Sequence, residues 1–86
     1  MLKIKDNIDL KELEKFGFEF ERGTTYIKEI DEITYIYVSE CDLKFINCVI
    51  DPMSNDGSIF DLIDTLYDLI QAGLVKKVEE WQYNGL

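Results

Sequence analysis

Three aspartates carry the strongest chemical signal in this chain. Asp61, Asp64 and Asp68 stand three and four residues apart, a spacing that puts all three carboxylates on one face of a helix. Like charges so placed oppose the helix by about 0.2–0.5 kcal/mol per pair, and aspartate is a mediocre helix former. Two chemistries fit. One is the solvated back of an amphipathic helix, with Asp61 favouring the N-terminal dipole. The other is an acidic stripe that meets a basic groove. At about 1.5 Å of rise per residue the row is about 10.5 Å long, comparable with three phosphate steps of about 3.4 Å along one nucleic-acid strand. Magnesium binding fits less well, because one helix does not converge three carboxylates on an ion without a partner element.

The remaining reactive residue types lead away from catalysis. The chain has no histidine, which removes the commonest general base and metal ligand. Cys41 and Cys48 are seven apart, too few and too far for a zinc site or a disulfide framework. Cys41 lies in the acidic turn Ser39-Glu40-Cys41-Asp42, where neighbouring carboxylates blunt a thiol. Cys48 sits in an apolar run and reads as a small core residue. The five glycines are scattered, so no phosphate-binding loop is present. Asp51 to Gly57 looks like a calcium loop only superficially. With Gly57 at position 6, position 1 falls on Pro52 and position 12 on Ile63, and neither side chain can ligate an ion. The expectation is a non-enzyme with no metal and no cofactor.

Charge is distributed unevenly. The net charge is −9. Residues 1–28 hold six acidic and six basic side chains and 76–86 hold two of each, so both are neutral. Between them stand Glu29, Asp31, Glu32, Glu40, Asp42, Asp51, Asp56, Asp61, Asp64 and Asp68, against Lys44 alone. Such a field repels DNA, RNA and anionic lipid and speeds encounter with basic proteins. Direct nucleic-acid binding and membrane binding are therefore not expected.

The elements that must position these groups follow from patterning. Asp9 is an N-cap candidate with Glu12 three residues on, Ile8 and Leu13 can form a hydrophobic staple, and Gly17 is a natural C-cap, giving a helix over 10–16. Strand-like runs follow at Phe18 to Arg22, Thr25 to Ile30, Ile33 to Val38 and Leu43 to Ile50, separated by turns short enough for an antiparallel meander. Tyr35, Tyr37, Phe45 and Val49 share one parity; Ile36, Val38, Ile46, Cys48 and Ile50 share the other. One face must meet the helices, and the other is covered by something else or is an exposed aromatic patch. Residues 51–57 read as a loop. Ser58 then caps a longer helix over 59–72 with Ile59, Leu62, Ile63, Leu66, Leu69 and Ile70 at helical spacing, ended by Gly73 with Leu74 folding back. Val75 to Trp81 reads as a short edge strand. The expected fold is a single α+β domain over 1–86: a three- to four-stranded antiparallel sheet, one long helix packed on a face, and a short N-terminal helix at its edge.

Two stretches resemble small uncharacterised proteins of phages and prophages of Gram-positive bacteria. They are Lys5 through Phe18 and Phe60 through Val78, the latter with its Asp68-Leu69-Ile70-Gln71-Ala72-Gly73-Leu74-Val75 core. The resemblance implies a bacterial cytoplasm and an accessory phage gene, a class that includes inhibitors of host defence such as anti-CRISPR proteins. It carries no functional residues. The leading expectation is an interaction protein that binds a basic surface of a host protein, such as the nucleic-acid channel of a defence nuclease. Its contacts would be Asp61, Asp64, Asp68, Asp56 and Glu40, with Tyr35 and Tyr37 as aromatic anchors. The alternative is a self-associating or virion-assembly module, a homodimer through the aromatic sheet face.

Overall fold

Alternating and β-rich runs in the middle of the chain form a meander, and segments from its two ends close over it. The computed structural model describes residues 1–50 and 56–78. The chain runs β1 (Leu2–Ile4), a 3-10 helix (Leu10–Phe16), β2 (Glu19–Phe20), β3 (Thr25–Glu29), β4 (Tyr35–Ser39), a 3-10 turn (Glu40–Asp42), β5 (Ile46–Val49), α1 (Asp56–Gln71) and β6 (Val75–Lys77). The fold class is the α+β arrangement expected. Four strands pair antiparallel in the order β2-β3-β4-β5, and β1 with β6 makes a second, two-stranded antiparallel sheet that the sequence reading did not anticipate. A bridge between Lys3 and Phe45 and a hydrogen bond from Ile4 N to Lys44 O (2.9 Å) tie the small sheet to the start of β5.

The first helix occupies the expected residues but is wound as a 3-10 helix. Leu10, Leu13 and Phe16 recur every third residue, which aligns them along one edge at 3.0 residues per turn and would spread them at 3.6. Leu10 and Leu13 are completely buried and Phe16 packs against the core. Asp9 caps the start by accepting from Lys11 N (2.9 Å), and Gly17 closes the end at φ +91°. The capping box is not completed, because Glu12 turns its carboxylate to Lys15 Nζ at 2.8 Å.

α1 starts earlier than the sequence suggests. Ser58 is not its cap; it lies inside the first turn, and its hydroxyl donates to Asp31 Oδ2. Asp56 and Gly57 are helical rather than loop, while 51–55 lie outside the described residues. The far end is a Schellman motif: Gly73 at φ +80°, Leu74 N to Leu69 O (3.2 Å) and Gly73 N to Ile70 O (3.0 Å). Leu74 is thereby folded into the core. β6 pairs over Val75–Lys77 with β1, and the rest of the expected edge strand, 79–81, lies outside the described residues.

One core joins the layers: Ile4 of β1, Leu10 and Leu13 of the 3-10 helix, Phe18, Ile36 and Val38 of β4, Leu62 and Leu69 of α1, and Leu74. The short helix thus supplies the middle of the core and not only the sheet edge. The Ile36 and Val38 parity faces inward, as one of the two alternatives required. Its burial fades towards β5, where Ile46 still packs on the core but Ile50 is exposed. Cys48 is exposed too, a correction to its reading as a core residue. It pairs with Ile36 on the outermost strand of the sheet, past the reach of the core side chains.

Between β4 and β5 the chain turns through Leu43 (φ 57°) and Lys44 (φ 64°), with Phe45 N donating to Asp42 O at 3.1 Å. Left-handed backbone costs a non-glycine residue roughly 1–2 kcal/mol. Lys44 offsets part of that cost by donating from Nζ to Ile8 O (2.7 Å) and Asp6 O (3.2 Å). The one basic side chain of the acidic middle segment is therefore committed to the N-terminal loop, away from the aspartates of α1.

Candidate functional site

α1 shows three distinct faces. Leu62, Thr65 and Leu69 are buried against the core, and Thr65 satisfies its hydroxyl on Asp61 O at 3.0 Å. Asp61, Asp64 and Asp68 are exposed on a second face. None of them belongs to an ion pair among the described residues, where Lys3–Asp6, Lys15–Glu12 and Lys76–Asp6 are the pairs found. The helix contains no lysine or arginine.

The aspartates are not merely the back of a helix. They line a groove of about 360 Å³ together with Thr65 of α1 and Lys28, Glu29 and Ile30 of the β3 strand and its end. Three aspartates thus border one ammonium, Lys28 Nζ, which is already engaged as a donor to Phe16 O at 2.9 Å, while Glu29 lines the groove from a strand position of the outward parity, paired with Tyr35. Glu29 also borders a second, smaller groove with Glu19, Glu21 and Gly17. Glu29, Glu19 and Glu21 were not singled out from the sequence. Two of them belong to a segment whose charge sums to zero along the chain, but two of its lysines are paired elsewhere: Lys15 with Glu12 and Lys3 with Asp6. The signal that could have found Glu29 and Glu19 is their sheet parity, which they share with Ile27 and Tyr37.

The remaining expected contacts are dispersed. Asp56 opens α1, and its side chain lies outside what is described. Glu40 is exposed in the turn after β4, beside Thr24, at the end of the sheet opposite Glu29. β3 separates the two by about 13 Å of strand, so Glu40 does not join the acidic groove. Tyr35 and Tyr37 are half-buried on the outer sheet face with ring centroids 6.0 Å apart.

The third face of α1 was hidden by a coarser reading of the helix. Helical spacing sets Ile63 and Ile70 with the core stripe, yet they are 51 % and 47 % exposed. With Phe60 (62 %) and Tyr67 (59 %) they form an outward ridge at spacings of three, four and three. The spacing itself was legible: it is a second apolar stripe, offset from Leu62, Leu66 and Leu69.

Titration adds little reactivity. Asp31 accepts from Ile33 N (3.0 Å), Thr34 N (2.7 Å) and the Ser58 hydroxyl, and these bonds hold its pKa down at about 2. Its role is to tie the β3–β4 turn to the first turn of α1. Desolvation pushes the Cys48 thiol and the Tyr26 phenol up, away from the nucleophilic anion. Among the described residues no three histidine, cysteine, aspartate or glutamate side chains gather to hold a metal ion, and no helix is long and apolar enough to cross a membrane. No family model, curated protein or solved structure matches the chain.

Proposed function

We propose that this chain is a non-enzymatic interaction protein that binds a basic surface of another protein through the acidic side of α1. The observation that carries the reading is the grouping of Asp61, Asp64 and Asp68 along one groove, without an ion pair to any of the three among the described residues. Stability alone does not account for such a row, since each like pair works against the helix. A clustered negative field accelerates encounter with a cationic partner and weakens with salt. In the phage or prophage setting that the sequence resemblance implies, the partner is a host protein in the bacterial cytoplasm. A nucleic-acid-binding nuclease of a defence system offers the matching cationic channel, and occupying it would make the chain an anti-CRISPR-like inhibitor.

The test is affinity capture from a Gram-positive host lysate with the wild-type chain and with the triple variant Asp61→Lys, Asp64→Lys, Asp68→Lys, washed at low and then high salt. The expected result is a nucleic-acid-binding protein held by the wild type, released by salt and missed by the variant. Equal recovery by both proteins would sink the reading.

A second reading, self-association as an assembly module, is favoured by the outer face of the four-stranded sheet. Ile27, Tyr35, Tyr37 and Val49 share that face and are only half-buried. It predicts a dimer that persists at high salt in light scattering and that Tyr37→Glu converts to monomer.

A further inference from the structure

The outward ridge of α1 is not needed for the core and is not explained by an acidic surface. Phe60, Ile63, Tyr67 and Ile70 stand about half exposed along one side of the helix, over about 15 Å of axis. A large side chain of this kind has roughly 200 Å² to bury. Four of them half open leave roughly 400 Å², within the range where an exposed apolar patch marks a contact surface. The intervals of three, four and three reproduce the a and d positions of a heptad, the pattern that receives knobs from a facing helix and not from an extended strand. Going round the helix, the aspartate row adjoins this ridge on one flank: Asp64 takes the e position, where a coiled coil carries its pairing charges, and Asp61 and Asp68 take the b positions beyond it; the buried Leu62 and Leu69 face lies on the other side.

Charge decides the occupant. Two antiparallel copies of α1 would lay like flanks together and set aspartate row against aspartate row, in a chain whose net charge is −9. A complementary helix has an apolar seam and lysine or arginine along one flank.

We propose that α1 receives a basic amphipathic helix from the protein partner, its apolar seam on Phe60, Ile63, Tyr67 and Ile70 and its cationic flank along Asp61, Asp64 and Asp68. This rests on the reading of the chain as a binder of basic protein surfaces and specifies the form that surface takes. The acidic row steers the encounter and fixes orientation, and burial of the ridge sets the residence time.

The probe is a fluorescent three-heptad peptide with leucine at a and d and lysine at e and g, compared with a peptide of the same composition whose leucine positions are scrambled. Both are titrated into the full chain by anisotropy at low and high salt, with light scattering of the chain alone. The seam peptide is expected to bind. Ile63→Ser with Tyr67→Ser should weaken it by about tenfold or more at either salt. Asp64→Asn with Asp68→Asn should weaken it mainly at low salt. Both double variants change exposed positions, and melting curves check that they fold. Equal binding of the scrambled peptide, lost at high salt, would overturn the helix-docking inference and leave the acidic-surface reading standing. Absence of binding by either peptide at low salt would defeat both. A salt-resistant dimer of the chain that Ile63→Ser dissolves would overturn the inference in favour of a second copy.

Discussion

The two helices of this protein make opposite use of their side chains. In the 3-10 helix Leu10–Phe16 the apolar residues share one edge, Leu10 and Leu13 are fully buried, Asp9 and Gly17 cap the ends, and Lys15 neutralises Glu12. Its apolar edge, its caps and its ion pair are each accounted for by the fold. α1 is equally well closed at its C-terminal end, but among the described residues its row of aspartates enters no ion pair and its apolar ridge stands about half exposed. A helix that completes itself within the chain marks scaffold. One that keeps surplus charge and surplus apolar area on adjoining faces is the surface on which the proposed partner would act.

That contrast can be broken first at the buried positions. Leu13→Ala in the short helix and Leu69→Ala in α1 should each cost about 2–5 kcal/mol in denaturant titrations, because both side chains are fully enclosed. Phe60→Ala and Ile63→Ser should change stability by less than about 0.5 kcal/mol, as exposed sites do. A large loss at Ile63 would show that the ridge belongs to the scaffold after all. Next in size is the cap: Asp9→Ala should cost about 1 kcal/mol in the same titration.

The junction between the sheet and α1 gives a pH test. Asp31 has its pKa lowered to about 2 by the bonds it accepts. A carboxylate depressed in the folded state contributes stability that is fully present above its ordinary range near about 4 and is lost as pH falls towards about 2. The melting temperature of the wild type should therefore drop through that window, and Asp31→Asn should show a shallower drop from a lower starting value. Identical slopes for the two proteins would remove Asp31 from the account. The smallest effect has the opposite sign. Asp64→Lys should raise stability by about 0.2–0.5 kcal/mol for each like pair relieved, while abolishing part of the proposed binding. The same substitution in a purely scaffolding helix would not separate the two readouts.

The short helix and the meander were legible because local patterning and tertiary burial agree there: Asp9 and Gly17 punctuate, and alternation in β4 separates Ile36 and Val38 from Tyr35 and Tyr37. The ends of α1 were half legible. Gly73 and Leu74 announce the C-terminus, whereas Ser58 has the chemistry of a cap and uses its hydroxyl on Asp31 across the fold, a partner that no local pattern names. Cys48 was misread because apolar company in sequence does not say how far the core extends across a sheet. The acidic row was visible from spacing. The groove beside it, lined by Lys28, Glu29 and Ile30, was not, because a charge sum along the chain is blind to which segments meet in space.

The pairing of β1 with β6 has a consequence for the order of assembly. Leu2 meets Lys77, whereas the partners Glu29 and Tyr35 are almost adjacent in sequence. Closing the longer loop costs about 2 kcal/mol more in chain entropy, so the small sheet should form after the meander. Pulse-labelled hydrogen exchange should then find Ile4 N and Lys5 N, bonded to Lys44 O and Leu74 O, protected later than the amides of β3 and β4. In that interval the start of β5, which β1 bridges in the finished fold, is an uncovered strand edge available to another chain. The time the chain spends aggregation-prone is thus set by how fast its first strand returns.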